Sequence, residues 1–331
     1  MTAHEILNKL PELNILVIGD ICLDRWCYYD PSTSEPSRET GINRIGVVKV
    51  DSTAGACGTI ANNLSDLGVG RVSLLGVIGE DAHGDELFRC LAKRDIGVDL
   101  VIHSAGVQTF TYVKHINSDT GVEDLPRVDY INTRPLPAFL EAQMVQNIDS
   151  FAHLFDAVIV CDQAETNAGG VITANVRAAL ARFASAYPGK VLWVDSRSRA
   201  EHFRNVYLKP NEQEAREAAL RLLGKDDPAA FTRTLELRAL VVTQGDKGVA
   251  CYEQHQTTHI PAPPVEKIVD ICGAGDSFSA GAVSALAGGA TLQESLAFGN
   301  LVASITITKL GTGTAHPEEV RAVSRRHSIL A

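Results

Sequence analysis

Short runs of branched apolar residues recur along this chain, each closed by a turn residue and followed by a helical pattern. Leu13-Asn14-Ile15-Leu16-Val17-Ile18 ends in Gly19-Asp20, and similar runs span Val72 to Val77, Ala157 to Cys161, Val191 to Val194 and Ala239 to Thr243. Apolar runs of this length, without strict alternation, suit strands buried on both faces of a parallel sheet. Between them, helical patterns cover Ile60 to Leu67, Asp85 to Lys93, Gly170 to Ser185, Asn211 to Leu223 and Asp276 to Ala287. The alternation predicts an α/β fold: a mostly parallel sheet flanked by helices on both faces. Such sheets bind ligands beyond the carboxyl ends of their strands. Asp20, Asp24, Asp162, Asp195, Asn211 and Gly245 all follow predicted strands and are therefore candidates for chemistry.

Two segments break the pattern. Residues about 25–54 are polar and turn-rich and end in Gly46-Val47-Val48-Lys49-Val50; residues about 107–131 alternate polar and apolar around a Ser-Asp-Thr-Gly turn. Both read as β-hairpins inserted into the α/β core. They are expected to form a small β lid over the site, with plain surface hairpins as the alternative. The 331 residues are expected to make one domain, 1–331, a length within reach of a single large α/β unit.

Several function classes are disfavoured. The formal net charge is −10 and no long basic run appears, which argues against nucleic acid and anionic membrane as partners. The first ten residues lack a secretory pattern, and no apolar run approaches the ~18 residues of a membrane span. Seven cysteines are scattered singly, without a Cys-x-x-Cys pair, so a zinc site is not expected and a reduced, cytoplasmic protein is. The first strand is followed by Gly19-Asp20-Ile21-Cys22, not by the Gly-x-Gly-x-x-Gly of a dinucleotide site; Walker and His-Glu-x-x-His patterns are also absent.

The segment that carries chemistry is Val269-Asp270-Ile271-Cys272-Gly273-Ala274-Gly275-Asp276-Ser277-Phe278-Ser279-Ala280-Gly281. Gly273, Ala274 and Gly275 let the backbone turn with its N–H groups converging at a helix start, a setting that favours an anion. Asp276 stands in that positive setting and could take a proton from an alcohol attacking a phosphoryl group. A plain helix N-terminus would look similar on Gly-Ala-Gly-Asp alone.

The longer pattern, Asp270-x-x-Gly273-Ala274-Gly275-Asp276 followed by small residues, resembles the C-terminal signature of the PfkB/ribokinase carbohydrate kinases. The resemblance implies a ribokinase-like fold, Asp276 as catalytic base and the 273–275 backbone as anion hole. Lys209-Pro210-Asn211-Glu212-Gln213-Glu214 looks like the family's Asn/Glu motif, which places Asn211 and Glu214 near ATP phosphates and Mg²⁺, the latter through water; the same residues also spell a helix capping box. Val242-Thr243-Gln244-Gly245-Asp246-Lys247-Gly248 resembles the nucleotide-contacting strand and turn, with Thr243, Gly245 and Gly248 as ATP contacts, or it is a simple hairpin turn. Lys309-Leu310-Gly311-Thr312-Gly313-Thr314 resembles the loop near the adenine and, in some members, a monovalent cation; this implies Gly311 at the nucleotide and Asp270 as a ligand for K⁺.

Gly19-Asp20-Ile21-Cys22-Leu23-Asp24-Arg25-Trp26 looks like the start of the heptose 7-phosphate kinase branch. It implies Asp20 and Asp24 in the acceptor site, Asp24 gripping hydroxyls, with Gly55, Thr59, Lys114, Arg127, Asp162 and Arg197 as further acceptor residues. The branch departs from this chain on that side. Its usual Asn stands here as Thr59, its Lys-x-Arg pair as Tyr112 and Lys114, its Asp-Tyr-x-x-Gly as Asp162-Gln163-Ala164-Glu165, and its Asp-Pro-Lys as Asp195-Ser196-Arg197. The expected activity is ATP-dependent phosphorylation of a sugar or sugar phosphate. The alternatives are a sensor or scaffold on the same fold, or a kinase for another acceptor such as a nucleoside. A homodimer that covers the lid's strand edges is expected as well.

Overall fold

The computed structural model describes residues 1–166 and 168–330. The chain opens with α1 (Ala3–Lys9) and β1 (Asn14–Gly19), then a long hairpin of β2 (Ile21–Pro36) and β3 (Asn43–Ala56). Next come α2 (Cys57–Asp66), β4 (Arg71–Leu75), β5 (Val77–Gly79), α3 (Ala82–Ala92) and β6 (Ile102–Ser104). A second hairpin, β7 (Phe110–Asn117) and β8 (Val128–Tyr130), precedes α4 (Ala138–Phe151), β9 (Ala157–Asp162), α5 (Ala174–Ala186) and β10 (Val191–Ser196). The remainder is β11 (Tyr207–Leu208), α6 (Glu212–Leu223), α7 (Pro228–Thr234), β12 (Ala239–Thr243), β13 (Val249–Tyr252), β14 (Thr257–Ile260), α8 (Ala274–Ala287), α9 (Leu292–Thr306) and α10 (Pro317–His327).

The main sheet runs β14-β13-β12-β11-β10-β9-β1-β4. It is parallel from β4 to β12, and β13 and β14 add antiparallel pairs at one edge. Its strands are apolar on both sides, and the pleat sends alternate residues to two separate cores. Ile15, Val17, Ile159 and Trp193 join one core with α2, α8 and α9. Leu16, Ile18, Val160 and Val194 join the other with α4, α5, α6 and α7. The apolar run Val72–Val77 divides at Gly76: β4 stays in the main sheet, whereas β5 pairs with β6 in a small two-stranded sheet.

Both expected hairpins form, and they merge. A four-stranded sheet runs β3-β2-β7-β8. β2 pairs antiparallel with β3, and β7 with β8, but β2 and β7 are parallel, so the two insertions make one continuous surface. The stretch from Phe278 to Ile307 folds as α8 and α9. Among the described residues no helix is long and apolar enough to cross a membrane.

Candidate active site

Asp276 is the third residue of α8, and Gly273 is the residue that caps it. Gly273 has φ +75°, a left-handed conformation that a side chain at this position would strain. The turn it makes leaves the amides of Gly273 and Gly275 without protein acceptors among the described residues, while Ala274 donates to the Ile271 carbonyl at 3.2 Å. Of the three amides expected to form an anion hole, Ala274 is thus engaged in closing the turn, and Gly273 and Gly275 are not. The helix behind it is fixed by packing: the buried indole of Trp193 on β10 donates to Ser279 Oγ on α8 at 3.2 Å, the partner a buried indole needs.

The Asp276 carboxyl is half-buried. Burial pushes it up to about 7, helped by the neighbouring Asp195 and Asp24 and opposed by Lys209 and Arg197. Below the turn, Lys209 is 4% exposed and holds Asp195 at 2.8 Å. Its ammonium lies 3.3 Å from where a Cβ on Gly275 would stand. Burial pulls the Lys209 pKa down, but Asp195 and the other surrounding carboxylates more than offset this, so it stays charged. Lys209 is the functional candidate that sequence reasoning missed. It stood in the quoted Lys209-Pro210-Asn211 segment, but only the fold shows that it underlies the turn.

Across the cleft, Asp24 projects from β2 and is half-buried. Its carboxyl is raised to about 6 by burial, with Lys114 and Arg127 pulling the other way. It lies against Gly55 on β3, where a Cβ would meet Asp24 Oδ2 at 2.5 Å, so Gly55 makes room for the carboxylate. Arg127 pairs with Asp129 at 2.7 Å and lies 5.1 Å from the Tyr112 ring centre. Arg197 pairs with Glu165. Lys114 on β7, the neighbouring strand, pairs in register with Trp26 and holds its ammonium 5.9 Å from the Trp26 ring centre, close enough to Asp24 to pull its pKa down.

Three expected acceptor residues have other roles. Asp20 is 1% exposed and accepts the backbone N–H groups of Gln163, Ala164 and Val171 at 2.8, 2.9 and 3.0 Å. Its carboxyl, raised to about 6 by burial and by Asp162, ties down the loop after β9. Asp162 is fully buried; it accepts from Ser196 Oγ at 2.7 Å and from the Arg199 guanidinium. Thr59 is 1% exposed, and its methyl stands 3.0 Å from a Cβ placed on Gly273, so it packs behind the turn rather than lining the cleft.

The residues expected to contact a nucleotide lie at the start of α6, at the end of β12 and the turn after it, and in the loop after α9. Asn211 and Glu214 form a reciprocal capping box at the start of α6: Asn211 Oδ1 accepts the Glu214 N–H at 2.9 Å, and Glu214 Oε2 accepts the Asn211 N–H at 2.8 Å. Glu214 keeps Oε1 outside that box, and burial, together with Asp195, raises its pKa. Thr243 ends β12 and bridges to Asn211. Gly245 and Gly248 turn the chain back into β13. Asp270 holds the Cys272 N–H at 2.9 Å through Oδ1 and the Gly311 N–H at 3.1 Å through Oδ2, so it couples the turn before α8 to the loop after α9. Among the described residues no three metal-ligating side chains cluster. Near the Asp270 loop, a cavity of about 660 Å³ is lined by Val265, Val269, Ile305 and Val323 on one hand and by Glu266, Lys267, Glu319, Arg326 and His327 on the other.

Residues 13–319 match the pfkB family carbohydrate kinase description. Proteins named Bifunctional protein HldE are similar along nearly the whole chain. The one from Trichlorobacter lovleyi is 31% identical over 333 residues, covering 98% of this chain and 65% of that protein; the one from Pelobacter propionicus is 28% identical over 336 residues, covering 98% and 66%. The chain thus spans just under two thirds of the length of these relatives. Among solved structures, Thermotoga maritima ribokinase has a TM-score of 0.70 at 19% identity, covering 95% of this chain and 99% of that one. Escherichia coli phosphofructokinase-2 in complex with potassium has a TM-score of 0.71 at 18% identity, covering 96% and 99%. The architecture is the ribokinase-like one, and by the match over 13–319 the chain belongs to the pfkB family of carbohydrate kinases.

Proposed function

We propose that this protein transfers the γ-phosphoryl group of ATP to a hydroxyl of a sugar or sugar phosphate, with Asp276 as the base. The observation that carries this reading is a carboxyl, pushed up to about 7 by burial, beside two amides, Gly273 and Gly275, that no protein group among the described residues occupies. A base poised near neutrality is ionised often enough to act and basic enough to accept a proton. The amides and the start of α8 stabilise charge on the phosphoryl group as it moves. Asp24 orients the acceptor from the lid side, and lid closure keeps water from competing for the phosphoryl group.

ATP lies with its base in the cavity near Val269 and its phosphates directed at the 273–275 turn, alongside Thr243, Gly245, Gly248 and Gly311. Lys209 contributes positive charge beneath them. Mg²⁺ commonly binds through one or two carboxylates together with substrate phosphates. Glu214, with Oε1 outside its cap, fits that role through water, and the ion would neutralise phosphate charge. Asp270 is the candidate for K⁺, sharing oxygens that already hold two amides. Cytoplasmic residence fits the seven unpaired cysteines. A homodimer fits the lid, since β3 is an edge strand with Val47, Val48 and Val50 exposed; sedimentation at micromolar concentration checks it.

The test is ADP release across a panel of heptose 7-phosphate, fructose phosphates, ribose and nucleosides, with Mg²⁺ and with or without K⁺. Acceptor-dependent ADP release is expected from at least one compound. ATP binding without such release over the whole panel contradicts the reading and favours a sensor.

A further inference from the structure

Next to the hydroxyl site, under the same lid, lies a second cavity of about 530 Å³. That volume by itself falls in the range of small-molecule sites, about 300–1,000 Å³. Its walls include Trp26, Tyr28, Lys114 and Ile116 from the lid and Leu310 and Gly311 from the loop after α9; neither Asp24 nor Asp276 lines it. The pleat of the lid explains this. Asp24, Trp26 and Tyr28 share one face of β2, and their partners Tyr112, Lys114 and Ile116 share the matching face of β7. The strand from Asp24 to Tyr28 is roughly 13 Å long at the usual rise. An acceptor gripped at Asp24 therefore has a ligand-sized annex running outward along the lid.

The chemistry of the annex is that of a platform for a neutral ring. Trp26 is half-buried, with its indole set 3.5 Å from a Cβ placed on Gly311. Leu310, in the same lining, is an apolar side chain left 77% exposed among the described residues. The charges present do not favour an anion. Lys114 is the one cation in the lining; Asp51 is paired with Lys49 at 2.6 Å, and Glu123 and Asp270 stand on the same walls. Arg127 and Arg197, the cations nearest the acceptor end, are matched to Asp129 and Glu165.

We infer that the annex receives a second, uncharged ring of the acceptor, stacked on Trp26, so that the preferred substrate is a two-ring compound rather than a lone monosaccharide or its phosphate. Nucleosides and disaccharides both have that chemistry. The inference rests on the phosphotransfer reading for the reacting hydroxyl but not for binding, and the experiment separates the two.

The chain has two tryptophans, and Trp193 is fully buried, so a ring entering the annex should quench the fluorescence of Trp26 alone. Wild-type protein is titrated, without ATP, with ribose, adenosine, cytidine, mannose, mannobiose and mannose 6-phosphate, and ADP release is then measured with the same compounds. Either the nucleosides or the disaccharide are expected to bind about tenfold or more tightly than their one-ring counterparts, the scale of ring stacking on an aromatic side chain. Trp26→Phe should lose the quenching. Trp26→Ala should erase the preference in kcat/KM while leaving the one-ring acceptor within about twofold. If that variant does not fold, the wild-type ratio decides. Equal or better binding of the one-ring compounds, free or phosphorylated, overturns the annex. A two-ring preference in binding without any ADP release leaves the annex standing and counts against phosphotransfer.

Discussion

Lys209 donates to Asp195 across 2.8 Å in the buried floor beneath the turn that carries Asp276. The pair sets two opposing influences on the base, since Asp195 raises the Asp276 pKa and Lys209 lowers it. Removing one member of a buried ion pair strands the other, at a cost of about 3–5 kcal/mol. Lys209→Met is therefore expected to lower unfolding free energy by about that amount in urea titrations. A loss well under 1 kcal/mol would mean that the pair is solvated and not part of the floor.

The acid limb of kcat/KM follows from the same arrangement. The Asp276 pKa is raised to about 7 from 3.8, first by burial and then by Asp195, and only its ionised form accepts a proton. Activity should therefore rise with pH and reach half its plateau near 7. Asp195→Asn removes a neighbouring negative charge and frees Lys209, both of which favour ionised Asp276, so the limb should move to lower pH. A limb that stays in place, or moves to higher pH, counts against Asp195 as the group that tunes the base.

Gly55 gives a test of Asp24 that leaves Asp24 itself in place. A methyl at residue 55 would stand 2.5 Å from Asp24 Oδ2, so Gly55→Ala must push the carboxylate aside. The expected result is a rise of about tenfold or more in acceptor KM with ATP KM little changed, as for the loss of an oriented hydrogen bond to a charged group. A rise confined to ATP KM would place the acceptor elsewhere.

Asp20 should behave as a structural residue. Its carboxylate accepts three backbone N–H groups of the loop after β9, and leaving buried donors unmet costs about 1–3 kcal/mol each. Asp20→Ala is expected to lower thermal stability clearly, with acceptor KM of the folded protein unchanged. Unchanged stability with a raised acceptor KM would return Asp20 to the binding site.

What could be read from the residues was local. Branched apolar runs define a two-sided sheet by themselves, and Gly273-Ala274-Gly275 dictates a small-residue turn into a helix whatever surrounds it. The division of Val72–Val77 at Gly76 and the parallel union of β2 with β7 depend on pairing between distant segments, which periodicity does not encode. The three aspartates illustrate the limit within the site. All three follow apolar runs in the sequence, but Asp20 and Asp162 stand at strand ends whereas Asp24 lies inside β2; the loop after β9 folds back over Asp20 and Arg199 holds Asp162, so of the three Asp24 is the one facing the cleft. Lys209 shows the converse, a residue in plain sight whose importance lies in what packs above it.

The most direct measurement is steady-state ADP release by Asp276→Asn beside the wild type, with the best acceptor found in the panel. The amide keeps the shape of the side chain but cannot take the proton, so kcat should fall by at least ~10²-fold while ATP affinity stays within about threefold. A kcat within a few-fold of wild type would contradict Asp276 as the base.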